Sequence, residues 1–259
     1  MTSVDLDAYL DRVGLKDALL PPTRETLLRL QAAHLLHVPF ENLDIGWKRP
    51  IRLDETLLFD KIVNRGRGGF CYELNGLTVG MLGRLGFDAH LMAASVCEPE
   101  TGDYGPDAGH ACIRVALDPP MLFEVGFGDS ALTPLELVPD LVQHDGRFPY
   151  RLQKKDVTWT LQSQPRDDQQ WVDCYRFTET PWSLTAFQAM CDYQQFSSKS
   201  HFVNRKVCSI AKEDNGRVTL TGERLIITLN GVADSRQIPD DAMFDALLET
   251  EFGITKASG

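Results

Sequence analysis

"RGRGGFCYELNG", residues 65–76, sets one cysteine behind a glycine pair and at the head of a segment with helical spacing. Leu74, Leu77, Met81 and Leu85 fall at i, i+3, i+7 and i+11, and Gly86 suits a helix stop, so the spacing predicts a helix that begins at or near Cys71. A cysteine there faces unpaired backbone N–H groups and the positive end of the helix dipole, and both favour thiolate. Gly68 and Gly69 carry no side chains, so a substrate or a neighbouring strand can approach the sulfur. The competing reading is a small buried thiol, since free cysteine is among the most buried residue types. This stretch alone leaves both open.

On the N-terminal side the pattern stays helical. Residues 3–14 read as a short helix capped by Ser3 and stopped by Gly14. A second follows Pro21-Pro22 through "TRETLLRLQAAHLL", and "VPFENL" reads as a loop because Pro39 ends the pattern. "DETLLFDKIVN" reads as a third helix capped by Asp54. From about residue 87 the period changes. "HACIRVAL" and "MLFEVGF" read as strands joined by "DPP", and "DVTWTLQ" and "WVDCYRF" alternate with period two. "TPWSLTAFQAMCDYQQF" returns to helix, with Thr180 as cap and Pro181 in the first turn. "GRVTLTGERLIITLNG" reads as a hairpin turning near Thr221-Gly222, and "DDAMFDALLETEFGI" as a closing helix. The order of helices, then a mainly antiparallel β region, then mixed α/β predicts an α+β chain of three small lobes that share interfaces.

Composition narrows the partners. The 259 residues carry a net charge of −11, which argues against nucleic acid and anionic membrane surfaces. The N-terminus lacks a basic n-region, and no stretch approaches the roughly 18–20 apolar residues of a membrane span. The six cysteines are scattered without a CxxC pair, which reads as reduced thiols in a cytoplasmic protein and as no zinc site. No obligate protein partner is evident.

A thiolate used at neutral pH needs a histidine, and the histidine needs an orienting group. Of six histidines, His34 and His37 fit packing roles, His90 and His144 have no evident partner, and His201 could line a pocket. His110 is different: it opens a strand after the glycine-bearing loop "TGDYGPDAGH", and the next strand carries Glu124 within the apolar run "LFEVGFG". A carboxylate there is expensive to bury unpaired. In an even register the two side chains share a face, so Glu124 would accept the Nδ1 proton and leave Nε2 for the sulfur; a one-residue slip would separate them. "GDYGPDAG" lacks the ending of a phosphate-binding loop, and Asp103 and Asp107 lack an EF-hand's remaining ligands. Lys199, Arg205 and Lys206 form a modest basic cluster, read as surface with phosphate contact as the minority reading.

Taken together, "VPFENL" at 38–43, "RGGFCYELN" at 67–75, "GHACIRV" at 109–115, "EVGFGD" at 124–129 and the stretches at 190–209 and 216–228 resemble the arylamine N-acetyltransferase family along almost the whole chain. The resemblance implies a helical bundle at 1–86, an antiparallel β-barrel-like domain at 87–195, an α/β lid at 196–259 and a cysteine-protease-like triad of Cys71, His110 and residue 124. It implies acetyl-CoA as co-substrate, no metal, and a ping-pong transfer through acetyl-Cys71 to arylamines, arylhydrazines or hydroxylamines. Phe40, Phe127 and Phe202 match the family's acceptor pocket, Gly126 and Gly128 a cofactor-side loop, and Glu41 with Arg67 a structural pair bracing the Cys71 loop. One departure stands out: the family usually has aspartate where this chain has Glu124. The longer side chain either orients His110 equally well, shifts its pH dependence, or leaves the thiol poorly activated; the first is expected. An amide synthase or hydrolase on the same triad, or a binding homologue without efficient chemistry, are the competing functions.

Overall fold

Helix boundaries in the computed structural model, which describes residues 4–16, 18, 20–165, 170–213 and 215–256, follow capping chemistry. Helix α1 (Leu6–Arg12) starts after Asp5, whose carboxylate accepts from the Asp7 N–H at 2.9 Å. The expected cap at Ser3 lies outside the described residues, and Asp5 fills that position. Thr23 caps α2 (Arg24–His37). A two-residue strand, β1 (Phe40–Glu41), and a short helix, α3 (Leu43–Gly46), follow. Asp54 caps α4 (Glu55–Phe59) as expected, through the Thr56 and Leu57 N–H groups, but the helix then widens into a π turn at Asp60–Asn64. The helix predicted from Cys71 is α5 (Cys71–Arg84), closed by Gly86 at φ +90°.

The central segment contains β2 (Ala89–Val96), β3 (His110–Val115), β4 (Met121–Phe123), β5 (Leu135–Glu136), β6 (Gln143–His144), β7 (Pro149–Lys155), β8 (Thr158–Ser163) and β9 (Val172–Thr178). They pair antiparallel in the order β5-β4-β3-β2-β9-β8-β7-β6. The two outer strands are bridged by one side chain: Gln143 Oε1 accepts from the Glu136 N–H at 2.7 Å, and its Nε2 donates to the Glu136 carbonyl at 3.1 Å. The sheet therefore curls into a nearly closed barrel, with Met92, Leu122, Leu152, Trp159 and Tyr175 buried inside. Strand β3 is covered on both sides. Ala111, Ile113 and Val115 join the helical core with Leu74 and Leu77 of α5, while Cys112 faces the barrel interior.

A helix α6 (Gln188–Phe196), preceded by a 3₁₀ turn at Leu184–Phe187, and a short α7 (His201–Asn204) lead to β10 (Val207–Lys212), β11 (Gly216–Thr221), β12 (Arg224–Leu229), β13 (Val232–Gln237) and α8 (Asp241–Phe252). The helical turns begin after Ser183, later than the Thr180-Pro181 start expected from sequence, because the Trp182 N–H is taken by the Leu91 carbonyl of β2 at 2.8 Å. The hairpin around Gly222 is β11–β12, extended by β13 into a five-stranded antiparallel sheet ordered β1-β10-β11-β12-β13. Its first strand corrects the reading of "VPFENL" as a loop: Phe40 and Glu41 pair with Ser209 and Cys208, far along the sequence.

Candidate active site

Cys71 is the first residue of α5 and is 3% exposed. The glycine pair before it makes room for backbone. A Cβ on Gly68 would lie 1.9 Å from the Pro39 carbonyl oxygen, and one on Gly69 would lie 2.7 Å from Glu73 Cβ. Gly68 therefore admits the chain leading into β1 and Gly69 the Glu73 side chain of α5, while the Gly69 carbonyl accepts from the Glu41 N–H at 2.9 Å. Helix α5 also sets the histidine. Tyr72 donates to the Ala108 carbonyl at 2.7 Å and Asn75 Nδ2 to the Ala111 carbonyl at 2.7 Å, so the same helix that carries the thiol grips the backbone on both sides of His110.

Strand pairing brings in the carboxylate. Ile113 pairs with Phe123 and Val115 with Met121, a register that continues to Cys112 opposite Glu124, so His110 and Glu124 share one face. The strand stops at Phe123, short of the expected "MLFEVGF" run, because side chains claim the next amides: Glu124 N–H donates to Gln31 Oε1 at 2.9 Å and Val125 N–H to Asn75 Oδ1 at 3.2 Å. His110 Nε2 lies 2.7 Å from Glu124 Oε2. This reverses the expected use of the ring. His110 begins β3 beside the head of α5, so Nδ1, the nitrogen nearer the backbone, is the one left for Cys71. The ring tip reaches inward to the carboxylate.

Glu124 is 5% exposed and saturated with donors. Tyr175 donates to Oε2 at 3.2 Å; Asn75 Nδ2 and the Gly126 N–H donate to Oε1 at 2.8 and 2.7 Å. Burial alone would depress His110, but the Glu124 carboxylate and the Cys71 partner outweigh it and push the imidazole up to about 10. A protonated imidazole held there sets a positive charge beside Cys71.

The thiol and imidazole open onto a cavity of about 480 Å³ whose walls include Phe40, Phe127 and Phe202. Gly126 lines it too, pressed against Cys71: a Cβ there would lie 2.7 Å from Cys71 Cα and 2.6 Å from Asn75 Nδ2. Gly128 is turned away, at φ +83°, with its carbonyl accepting from Arg217. His201 lies at the cavity as well. Arg67 and Glu41 pair beneath the site, Arg67 Nη2 at 2.6 Å and Nε at 3.0 Å from Glu41 Oε1, both side chains almost wholly buried. Arg67 also meets Asp44 at 3.1 Å and stacks on Trp47 at 4.8 Å.

Sequence reasoning missed the residues that hold Glu124. Asn75 was the legible one: it stands one helical turn after Cys71 on the buried face, a polar side chain with no surface to reach. Tyr175 and Gln31 come from β9 and α2 and carry no local signal. Among the described residues no cluster of three or more His, Cys, Asp or Glu could hold a metal ion, and no helix is long and apolar enough to cross a membrane.

Known proteins share this fold. A family model described as N-acetyltransferase matches residues 23–257. The arylamine N-acetyltransferase of Mycolicibacterium smegmatis is 33% identical over 258 residues, covering 97% of this chain and 92% of that protein. The Mycobacterium marinum arylamine N-acetyltransferase, solved in complex with CoA, superposes with a TM-score of 0.89 at 31% identity, covering 98% of this chain and 95% of that one. An arylamine N-acetyltransferase from Bacillus cereus, whose structure reveals a Cys-His-Glu catalytic triad, superposes at 0.86 with 28% identity, covering 98% and 100%. This chain, an acyltransferase, belongs to the arylamine N-acetyltransferase family.

Proposed function

We propose that the enzyme transfers an acetyl group from acetyl-CoA to the nitrogen of arylamines and arylhydrazines, and to the oxygen of N-arylhydroxylamines, through an acetyl-Cys71 intermediate. The observation that carries this is the convergence of the Cys71 thiol and the His110 imidazole at one aromatic-walled cavity, with the buried Glu124 carboxylate behind the ring. The Cys71 thiolate attacks the thioester carbonyl. A sulfur–carbon bond forms as the bond to CoA breaks, and the His110 proton goes to the departing thiolate. The amine then attacks the acetyl carbon, the bond to Cys71 breaks, and the amine proton returns to His110. Exchange of one thioester for another is nearly balanced in free energy, so positioning and thiolate supply decide the rate.

Phe40, Phe127 and Phe202 give a flat aryl group faces to pack on. Glu41 and Arg67 act as supports. Gly126 lines the cavity and lets the segment after β4 pack against the Cys71 backbone. The CoA complex of the M. marinum relative supports the donor, and the Cys-His-Glu triad of the B. cereus relative supports glutamate as orienting group. A cytoplasmic location suits the six free thiols.

Intact-mass spectrometry after brief exposure to acetyl-CoA tests the reading. Wild type is expected to gain one acetyl group and Cys71→Ala none. No adduct on wild type with Cys71 reduced would overturn it and bring forward an amide synthase, a hydrolase or a binding protein.

A further inference from the structure

The buried charges beneath the head of α5 are unequal. Lys61 and Arg67 face three carboxylates, Glu41, Asp44 and Glu73, which leaves one net negative charge. Arg49 meets Asp44 only from the more exposed side, at 4.0 Å. Lys61 Nζ, on the π turn, lies 2.7 Å from Glu73 Oε1, 2.8 Å from Asp44 Oδ2 and 3.7 Å from Glu41 Oε1. Arg67 is committed to Glu41 and Asp44, so Lys61 is the cation that meets Glu73. Glu73 cannot swing away: it is 1% exposed, its Oε2 accepts from the Phe70 N–H at 3.1 Å, and Gly69 packs on its Cβ. A carboxylate is thus fixed two residues from Cys71, at the helix end whose positive field favours thiolate. Unopposed, it would cancel that field.

We propose that Lys61 and Glu73 are positioning residues for Cys71: their ion pair seats the first turn of α5 and sets the buried charge beneath the thiol. This rests on Cys71 being the nucleophile. The other titratable groups facing this region are His110 and Glu124 in front of the sulfur, and Tyr72, Cys112 and Cys191 around it. None of them neutralises Glu73. Burial pushes the Glu73 carboxyl up to about 7 even with Lys61 beside it, in keeping with an excess of negative charge.

Above about pH 7, where Glu73 is ionised, charge counting orders the variants. Lys61→Gln leaves two net negative charges, Glu73→Gln leaves none, and the double variant restores the wild-type value. The test is the pH dependence of iodoacetamide alkylation of Cys71 in the full chain, located by peptide mass, beside the rate of acetyl-adduct formation. Lys61→Gln is expected to raise the alkylation midpoint by about one pH unit, equivalent to about tenfold less thiolate below it. Glu73→Gln should lower the midpoint, and the double variant should return to wild type. A common profile for all four folded proteins would overturn the proposal, as would loss in Lys61→Gln without recovery in the double variant. If Lys61→Gln does not fold, Glu73→Gln and the double variant still decide: the first must shift and the second must not. Alkylation needs no acyl donor, so absence of an acetyl adduct on wild type would count against the acetyl-transfer reading and leave the alkylation order as a separate result.

Discussion

His110 Nε2 lies 2.7 Å from Glu124 Oε2, and every other polar contact of that carboxylate is also a donor: Tyr175 on the same oxygen, Asn75 and the Gly126 N–H on the other. The site is therefore built for an acceptor with two equivalent oxygens. Glutamine would turn an NH₂ group toward a donor on one side or the other. Glu124→Gln is expected to cut kcat by on the order of 100-fold or more, and Glu124→Asp by less, because it keeps the charge and both acceptors. Steady-state acetyl transfer and the rate of adduct formation measure this; an undiminished Glu124→Gln enzyme would remove Glu124 from the triad.

The same contact makes stability fall with alkali. His110 is raised from 6.5 to about 10, so the folded protein binds a proton that the unfolded chain has released above 6.5. The stabilisation is complete below pH 6.5 and is lost as pH rises through about 10. Urea midpoints for wild type should decline over that window, and the decline should be shallower in His110→Asn, which has no imidazole to titrate. Parallel pH curves for the two proteins would show that the imidazole does not carry the linkage.

Local signals and long-range contacts divided the legibility of this protein. Helix α5 could be read because spacing, a preceding glycine pair and a terminal glycine agree within some twenty residues. Cys71, His110 and Glu124 could be read as candidates, Cys71 from the helix start behind two glycines and the other two from the segments that carry them. What sequence could not supply was determined by residues far apart. The ring orientation of His110 depends on where α5 lies against the head of β3, and strand formation at Phe40 depends on β10. The early end of β4 depends on Gln31 and Asn75 capturing two amides from other elements. The glycine pair was understood in kind but not in target: it admits Pro39 and Glu73 of this chain, where a substrate was equally plausible from sequence.

Gly126 offers a sharper contrast with its neighbour. A methyl group at Gly126 would meet the Cys71 backbone at 2.7 Å and the Asn75 side chain at 2.6 Å, neither of which has free space to yield into. Gly126→Ala is expected to cost about 1–3 kcal/mol of stability through overpacking, and to lose most adduct formation because the displaced atom is Cys71 Cα. At Gly128 the nearest atom would be Phe40 Cδ1 at 3.7 Å, and the difficulty is φ +83°. Gly128→Ala should cost about 1–2 kcal/mol of backbone strain while the acetyl adduct still forms. Urea denaturation with intact mass on both variants separates the two; equal losses of adduct would mean that the whole loop moves as a unit.

Phe202 separates the two half-reactions. It packs edge-on against Phe70 at 5.6 Å between ring centroids and tilts toward Phe40 at 6.3 Å, while its own position on α7 leaves it on the cavity wall. It bonds to neither the sulfur nor the imidazole. Phe202→Ala should therefore leave the acetyl-CoA adduct on Cys71 intact and weaken capture of the aryl acceptor. The lost aromatic contact is worth about 1 kcal/mol or somewhat more, which predicts an acceptor KM raised by roughly 5- to 10-fold for an aniline. An aliphatic hydrazine, with no ring to stack, should change little. Steady-state kinetics with the two acceptors, run beside single-turnover acetylation, reads this split. A Phe202→Ala enzyme that failed to acetylate Cys71 would place Phe202 in the donor half-reaction instead, and equal effects on the aniline and the hydrazine would show that its ring is not the surface on which acceptors are sorted.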